Sequence, residues 1–313
     1  MQTILILFGG EPSKSPTKDP LGYSALYTYF AKNNIILCRA PISYYDTQSN
    51  SFTQAQFFIN DNWLWKKNIT PDVIYDKSPY YINSSEMLTR QLIATDYTFY
   101  NNLTLSKILS NKSLTFDFFE EFSAKTIVIN MPSEVTKIIA LQTSDIIVKP
   151  LSQSGGSGIF ISKKEAVAND IISNNIFPIL AQEFMDSSKA KNEFIDGYHD
   201  IRVIVRNQTP FYAFARIPKK DTRIANVSTG ATLKVIPIKE LLQNNDINKF
   251  INKIIQNVEN IDATNKIYAI DCMFDNDNNL WLIEMNSRPG LTLEQSEAPY
   301  QSEFYENLLT FFK

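Results

Sequence analysis

Ile4 to Phe8 is an unbroken apolar run, the pattern of a buried strand. A Pro- and Ser-rich stretch then leads to helical periodicity around Leu21 to Lys32 and a second apolar run at Ile35 to Leu37. Strand, helix, strand is how an α/β domain begins. Pro71 to Tyr75 predicts a further strand and Ser84 to Thr95 a further helix, so the first unit is expected over residues 1–111. The pattern changes at Lys112. A short helix (Leu114 to Phe122), a strand (Thr126 to Asn130), a helix opened by Pro132-Ser133-Glu134 and strands at Ile146 to Val148 and Gly158 to Ile161 predict a small α+β unit over residues 112–184. Residues 185–313 carry strand patterns at Ile201 to Val205, Phe211 to Arg216, Tyr268 to Phe274 and Leu280 to Met285, with an amphipathic helix from Ile247 to Val258. The predicted class is α/β followed by α+β, with no internal repeat. The many Asn residues read as compositional bias.

Composition narrows the function. At 313 residues and 44% hydrophobic content, the chain can build two or three cores. Its 30 Lys plus Arg against 33 Asp plus Glu leave a net charge of −3, with no basic excess to track a nucleic acid backbone. The opening apolar run is too short for a signal-peptide core, and no stretch has membrane-spanning length, so a cytoplasmic protein without membrane or nucleic acid partners is expected. Cys38 and Cys272 have no metal-ligand spacing and read as buried thiols. His199 is the single histidine, and a structural role suits it better than that of a base. Carboxylates, Lys, Arg and a cofactor must therefore carry any chemistry.

Three signals point to an anion and metal site. Lys149-Pro150-Leu151-Ser152-Gln153-Ser154-Gly155-Gly156-Ser157-Gly158 lies between two strand patterns, where backbone N–H groups can close over phosphate oxygens and Lys149 adds a charge; Ile147 shares its face. On its own such a loop is equally a flexible hairpin. The second signal is a predicted hairpin that places Asp271 opposite Glu284 and Asn286, three hard oxygen donors suited to Mg²⁺ shared with nucleotide phosphates. The third is Arg202, Arg216, Arg223 and Arg288 near strand ends, apt for clamping phosphate or carboxylate. Two decoys fall away. Phe8 to Ser15 lacks the glycine of a P-loop before Lys14, and Asp275 to Asn279 begins like a calcium loop but has Leu280 at the glycine position.

Taken in order, these segments resemble the ATP-grasp superfamily, most closely the bacterial glutathione synthetase and ribosomal-protein glutamate ligase branch, from about Pro71 to about Gly290. The resemblance implies an ATP-grasp fold behind an N-terminal Rossmann-like domain, with residues 112–184 as the central lid and 185–313 as the metal-bearing subdomain. It also implies roles. Lys112, Ile147, Lys149, Gln182, Phe184 and the loop residues Ser154, Gly155, Gly156 and Ser157 would hold ATP, the backbone of Glu183 and Met185 would meet the adenine edge, and Asp200 would lie near the ribose. Asp271, Glu284 and Asn286 would carry two Mg²⁺ ions, with Mn²⁺ as a substitute. Arg202, Arg216 and Arg288 would neutralise phosphate, and Arg223, Asn226 and Gly230 would shape the acceptor side.

The implied reaction joins a carboxylate to an amine through an acyl phosphate, with amino acids or small peptides as substrates. A peptide or protein acceptor and a non-catalytic ATP-gated binding module are the alternatives, and homo-oligomerisation stays open. The sequence departs from the branch at Thr229-Gly230-Ala231, in the length of Asp186 to Tyr198, and in Asn286 to Leu291, which is more like the D-alanine ligases. All three lie where substrates would bind.

Overall fold

The computed structural model describes residues 1–8, 22–78, 84–151, 158–174, 177–219, 222–224 and 230–313. The glycine loop residues Ser154, Gly155, Gly156 and Ser157, the acceptor residue Asn226 and the rejected P-loop stretch beyond Phe8 lie outside the described residues.

Among the described residues the chain forms three sheets. The first contains β1 (Gln2–Phe8), β2 (Ile35–Pro41), β3 (Tyr45–Asp46), β4 (Ser51–Ile59), β5 (Asn62–Ile69), β6 (Val73–Asp76) and β7 (Thr98–Tyr100), ordered β3-β4-β2-β1-β6-β7 with β5 paired to β4. β2, β1, β6 and β7 are parallel, and the apolar runs of β1, β2 and β6 are buried on both faces, as a parallel sheet requires. Helix α1 (Tyr23–Lys32) lays Leu26, Tyr27 and Phe30 on one face of it, and α2 (Ser84–Asp96) runs between β6 and β7. The hairpin β4–β5 turns at Asn60 and Asp61, both in the left-handed region.

α3 (Leu103–Ser110) and α4 (Lys112–Phe118) lead to the second sheet: β8 (Thr126–Ile129), β9 (Asp145–Pro150), β10 (Phe160–Lys163) and β11 (Ile179–Glu183), ordered β10-β9-β11-β8, with α5 (Val167–Asn174) before β11. Pro132–Ala140 is a 3₁₀ helix, not the α-helix that its opening suggests. Its buried residues Val135 and Ile138 are three apart, the period of that tighter helix.

The third sheet has β12 (Asp200–Arg206), β13 (Thr209–Ile217), β14 (Thr232–Val235), β15 (Ile267–Phe274) and β16 (Leu280–Asn286), in the order β14-β13-β12-β15-β16. α6 (Ile238–Gln243) precedes α7 (Asn245–Ile261), which buries Ile247, Ile251, Ile254, Ile255 and Val258 as a stripe of helical period beneath this sheet. α8 (Gln301–Phe312) closes the chain and knits the first and third sheets together: Phe312 packs on Tyr75, Tyr100 and Phe30, while Phe304 packs on Phe211 and Tyr212.

The asparagines that read as compositional bias do local work. Asn102, Asn111 and Asn244 cap α3, α4 and α7 by accepting backbone N–H groups. Asn34, Asn50, Asn60, Asn68, Asn101, Asn207 and Asn278 take left-handed conformations, a task usually given to glycine, of which the chain has only 9. Asn101 does most. Fully buried, it donates through Nδ2 to the carbonyls of Ile267 at 2.8 Å and Ser287 at 2.5 Å and accepts from the Ile267 N–H at 2.7 Å, riveting the end of β7 to the start of β15 and the end of β16. Asn101→Ala leaves three buried backbone groups unpaired and is expected to lower unfolding free energy by about 3 kcal/mol. Asn50→Ala, at an exposed turn, should cost about 1 kcal/mol. Urea denaturation of the two variants checks the contrast; equal costs would mean that Asn101 is no rivet.

Candidate active site

The centre of the third sheet holds a cluster of charge that apolar strands would exclude unless it were paired. Antiparallel register puts Asp271 of β15 beside Arg202 of β12 on one side and Glu284 of β16 on the other, and Asp200 opposite Arg216 across β12 and β13. Asp271 has no exposed surface. Its Oδ1 accepts from Arg202 Nε at 2.6 Å, and its Oδ2 accepts from Arg202 Nη2 at 2.5 Å and Arg216 Nη2 at 2.7 Å. Arg216 Nη2 also donates to Asp200 Oδ2. Two guanidiniums thus bracket one carboxylate in a planar fork geometry that lysine does not provide.

Electrostatics follow from this packing. Burial alone would raise Asp271, but Arg202 and Arg216 outweigh it and hold the group ionised well below the usual carboxylate range. Burial, followed by repulsion from Asp271, pushes Asp200 upward despite Arg216. Glu284 is raised by the surrounding protein and by Asp271, although 45% of its side chain remains exposed. Its Oε1 lies 3.7 Å from Arg202 Nη2, too far for a hydrogen bond. Glu284 therefore faces outward from the cluster and is unfilled as an acceptor toward it. Asn286 lies two residues further along β16, and its Oδ1 accepts from the Arg288 N–H at 2.8 Å.

The second sheet brings cations toward Glu284. Lys149, at the end of β9, is buried and donates to Gln182 Oε1 at 2.7 Å, with its ammonium 5.6 Å from the Phe116 ring centre. Gln182 is itself fixed by Thr126 Oγ1 and the Ala124 carbonyl, so its side chain orients Lys149. Lys112, at the start of α4, donates to the Pro150 carbonyl at 3.1 Å. Both lysines interact electrostatically with Glu284.

Burial lowers Lys149 to about 8, from an ordinary value of 10.5. The unfolded chain keeps its proton to the higher pH, so the burial cost is present below pH 8 and is relieved as pH rises from about 8 toward 10.5. Anion binding has the opposite sign, because the charge that attracts phosphate is lost in that window. Affinity for a nucleotide triphosphate analogue is expected to fall about tenfold between pH 7 and pH 9, and Lys149→Arg should flatten the profile. Titration calorimetry at both pH values tests this.

Asp200, expected beside a ribose, is drawn into the cluster by its register with Arg216. Arg223 is exposed, 2.6 Å from Asp145 Oδ2 and 5.0 Å over the Phe184 ring, and so stands beside the second sheet, away from Asp271. The backbone N–H groups of Glu183 and Phe184 donate to the Lys125 and Asp145 carbonyls, and Ile147 pairs with Gln182 in register. Met185 follows at the open end of β11. Gly230 has a φ of +87°, and a β-carbon there would lie 2.4 Å from Lys219 Cε. His199 accepts the Phe274 N–H at Nε2 and donates from Nδ1 to the Gly197 carbonyl, a structural role. Asp275 binds the turn amides of Asp277 and Asn279, so the calcium-like stretch is a closed turn. Cys38 and Cys272 are buried and unbridged.

The sequence reading missed Lys77. Standing at the end of β6, it donates to the Pro289 carbonyl at 2.5 Å, and burial followed by the neighbouring Arg288 lowers it to about 7. Only its position just beyond the predicted strand Pro71 to Tyr75 could have flagged it.

The donor chemistry fits a hard divalent cation. Among the described residues no three His, Cys, Asp or Glu side chains form a ready-made metal cage. Mg²⁺ asks for less, one or two carboxylates plus phosphate and water. Glu284 offers the accessible oxygens, and Asp271 and Asn286 retain lone pairs beyond those used by Arg202, Arg216 and the Arg288 N–H. Burial, followed by Asp271, raises Glu284, and Arg202, Lys149 and Arg216 oppose the rise.

Residues 111–258 match the family model for the prokaryotic glutathione synthetase ATP-grasp domain, and residues 217–311 match that for the tubulin-tyrosine ligase family. Glutathione synthetase of Wigglesworthia glossinidia brevipalpis is 32% identical over 104 residues, which cover 31% of this chain and 30% of that protein. The fold extends over the whole chain in solved structures. A D-Ala:D-Ser ligase from Enterococcus faecalis superposes with a TM-score of 0.63 at 12% identity, covering 100% of this chain and 99% of that one. A peptide-associated (RiPP) ATP-grasp ligase from Chryseobacterium gregarium, solved with ADP and a leader and core peptide, gives 0.61 at 14% identity, covering 100% and 98%. No helix among the described residues is long and apolar enough to cross a membrane. The whole chain therefore has the fold of the solved ATP-grasp ligases, and residues 111–258 resemble the ATP-grasp domain of prokaryotic glutathione synthetases.

Proposed function

We propose that the protein is an ATP-dependent ligase that joins a carboxylate to an amine through an acyl phosphate, releasing ADP and phosphate. The observation that carries this reading is the clamp of two guanidiniums on the buried Asp271, with Glu284 standing outward between it and the cations Lys112 and Lys149. Such a site is built to gather phosphate oxygens without needing a protein nucleophile. Lys112 and Lys149 hold the phosphates, and Gln182 keeps Lys149 aimed. Glu183, Phe184 and Met185 edge the base. Asp271 keeps Arg202 and Arg216 in fixed orientation, so their positive charge needs no reorganisation as charge shifts onto the leaving phosphate. Glu284, Asn286 and Asp271 would hold Mg²⁺, which when bound supplies charge neutralisation between phosphate oxygens. Catalysis is then positioning and preorganised electrostatics.

The substrates favoured are amino acids or small peptides. A second reading, in which a peptide or protein is modified, draws support from the first sheet. Among the described residues β5 pairs only with β4, and its Leu64 and Trp65 are 46% and 44% exposed, an edge suited to an extended peptide. A screen of phosphate release from Mg-ATP separates the readings. A pool of amino acids and dipeptides should stimulate release. Stimulation only by longer polypeptides would favour the second reading, and no stimulation by either would leave a non-catalytic nucleotide-binding module.

A further inference from the structure

Asn286 ends β16, and the bend that follows it, residues 287–289, is held by three side chains from outside the third sheet. Asn101, just past β7, donates to the Ser287 carbonyl at 2.5 Å; the Ser110 hydroxyl, at the end of α3, lies 2.9 Å from that of Ser287; and Lys77, just past β6, donates to the Pro289 carbonyl at 2.5 Å. Within the bend the Arg288 N–H returns to Asn286 Oδ1 at 2.8 Å. The orientation of the Asn286 side chain is thereby tied to the bend, and the bend to its three tethers.

Stability alone accounts for two of these tethers and not for the third. Asn101 and Ser110 are neutral, whereas Lys77 brings a cation to a place where burial and the charge of Arg288 both oppose it. Among the described residues its ammonium bonds to the Pro289 carbonyl and forms no ion pair that would offset this. A neutral donor of the same reach would make the same bond without that burden. The base from which Lys77 reaches is rigid. Its N–H donates to the Leu7 carbonyl at 2.9 Å, and beside it Asp76 and Arg90, with 1% and 0% of their side chains exposed, pair at 3.3 Å. Asp76 Oδ1 accepts from the Ser78 N–H at 2.9 Å, and Arg90 Nη2 donates to the Ser78 carbonyl at 3.0 Å, so the backbone on both sides of Lys77 is fixed. This is also where the strand order reverses between β1 and β6, the point at which open parallel sheets take their ligands. A costly charge on a rigid base at such a point marks a site shaped for function.

We propose that Lys77 is a positioning residue: through Pro289 it fixes the bend that orients Asn286, so that the first sheet sets the Mg²⁺-binding end of β16. On the reading of Asn286 as a metal ligand with Asp271 and Glu284, Lys77 joins the substrate side of the protein to the metal by a single hydrogen bond. Groups that orient a metal ligand account for about ten- to a hundredfold in affinity, and Lys77, which acts through the backbone, belongs at the lower end.

Binding of Mn²⁺ alone to the full chain, followed by loss of the free-ion electron paramagnetic resonance signal, tests this beside thermal unfolding of the metal-free protein. Lys77→Met keeps the stem and removes the charge and the N–H groups. It should be at least as stable as wild type, because a buried cation beside Arg288 is gone, yet bind Mn²⁺ about tenfold more weakly. Ser110→Ala, which removes a neutral tether of the same bend, should weaken Mn²⁺ about threefold. A structural prop would do the reverse, losing stability with Mn²⁺ affinity intact. Glu284→Gln serves as the control for the metal reading itself and should lose most Mn²⁺ binding. Wild-type affinity in Glu284→Gln, or no binding by wild type, would overturn the metal reading and the role of Lys77 with it. Weakened binding in Glu284→Gln with unchanged affinity in Lys77→Met and Ser110→Ala, or a Lys77→Met chain less stable than wild type, would overturn the role of Lys77 alone.

Discussion

Asp271→Asn is expected both to stop turnover, by about a thousandfold or more, and to destabilise the chain by about 3 kcal/mol. The two losses have one cause. Asp271 is fully buried and accepts from two guanidiniums at both oxygens, so an amide there presents an N–H₂ to a cation and leaves buried positive charge uncompensated. Asp200 cannot replace it, since among the described residues its carboxylate pairs with Arg216 and does not reach Arg202. Urea denaturation beside phosphate-release kinetics gives both numbers. An unchanged unfolding midpoint would mean that the clamp does not exist in solution.

Glu284→Gln should separate those effects. The side chain is 45% exposed and makes no hydrogen bond within the cluster, so stability should stay within about 0.5 kcal/mol of wild type. Turnover should nevertheless fall about a thousandfold, because the lost charge is the one that faces Lys112, Lys149 and the proposed metal. The Mg²⁺ concentration for half-maximal residual activity should rise in parallel. Full activity in this variant would move the metal site elsewhere on β15 and β16.

The contrast between Asp271 and Glu284 was only half legible in the sequence. Charged residues in two apolar strand patterns joined by a polar turn located both, and the period of two put Glu284 and Asn286 on one face. That one carboxylate is clamped and the other faces outward depends on β12 lying beside β15, a long-range pairing no local pattern encodes. The same holds for Asp200, whose partner Arg216 is fixed by the β12–β13 register.

Other omissions had local signals. Asn60-Asp61 between two mixed aromatic and polar runs marks the β4–β5 hairpin, but Lys66 and Lys67 on the exposed strand hide its alternation. Phe304, Tyr305, Leu308, Leu309, Phe311 and Phe312 follow helical spacing, and α8 could have been read from them. The Pro132 segment shows the reverse, a correct helical start whose tighter period appears only in which residues are buried.

The central claim is that an acid is activated as its acyl phosphate at the Asp271 cluster, and hydroxylamine trapping tests it most directly. The protein is incubated with Mg-ATP, hydroxylamine and a pool of amino acids, dicarboxylates and glutamate-containing peptides, and hydroxamate, ADP and AMP are quantified. Hydroxamate formed in equal amounts with ADP, dependent on Mg²⁺ and absent in Glu284→Gln, is the predicted result. Formation of AMP with the hydroxamate, or ADP formation with no hydroxamate from any acid in the pool, would contradict it.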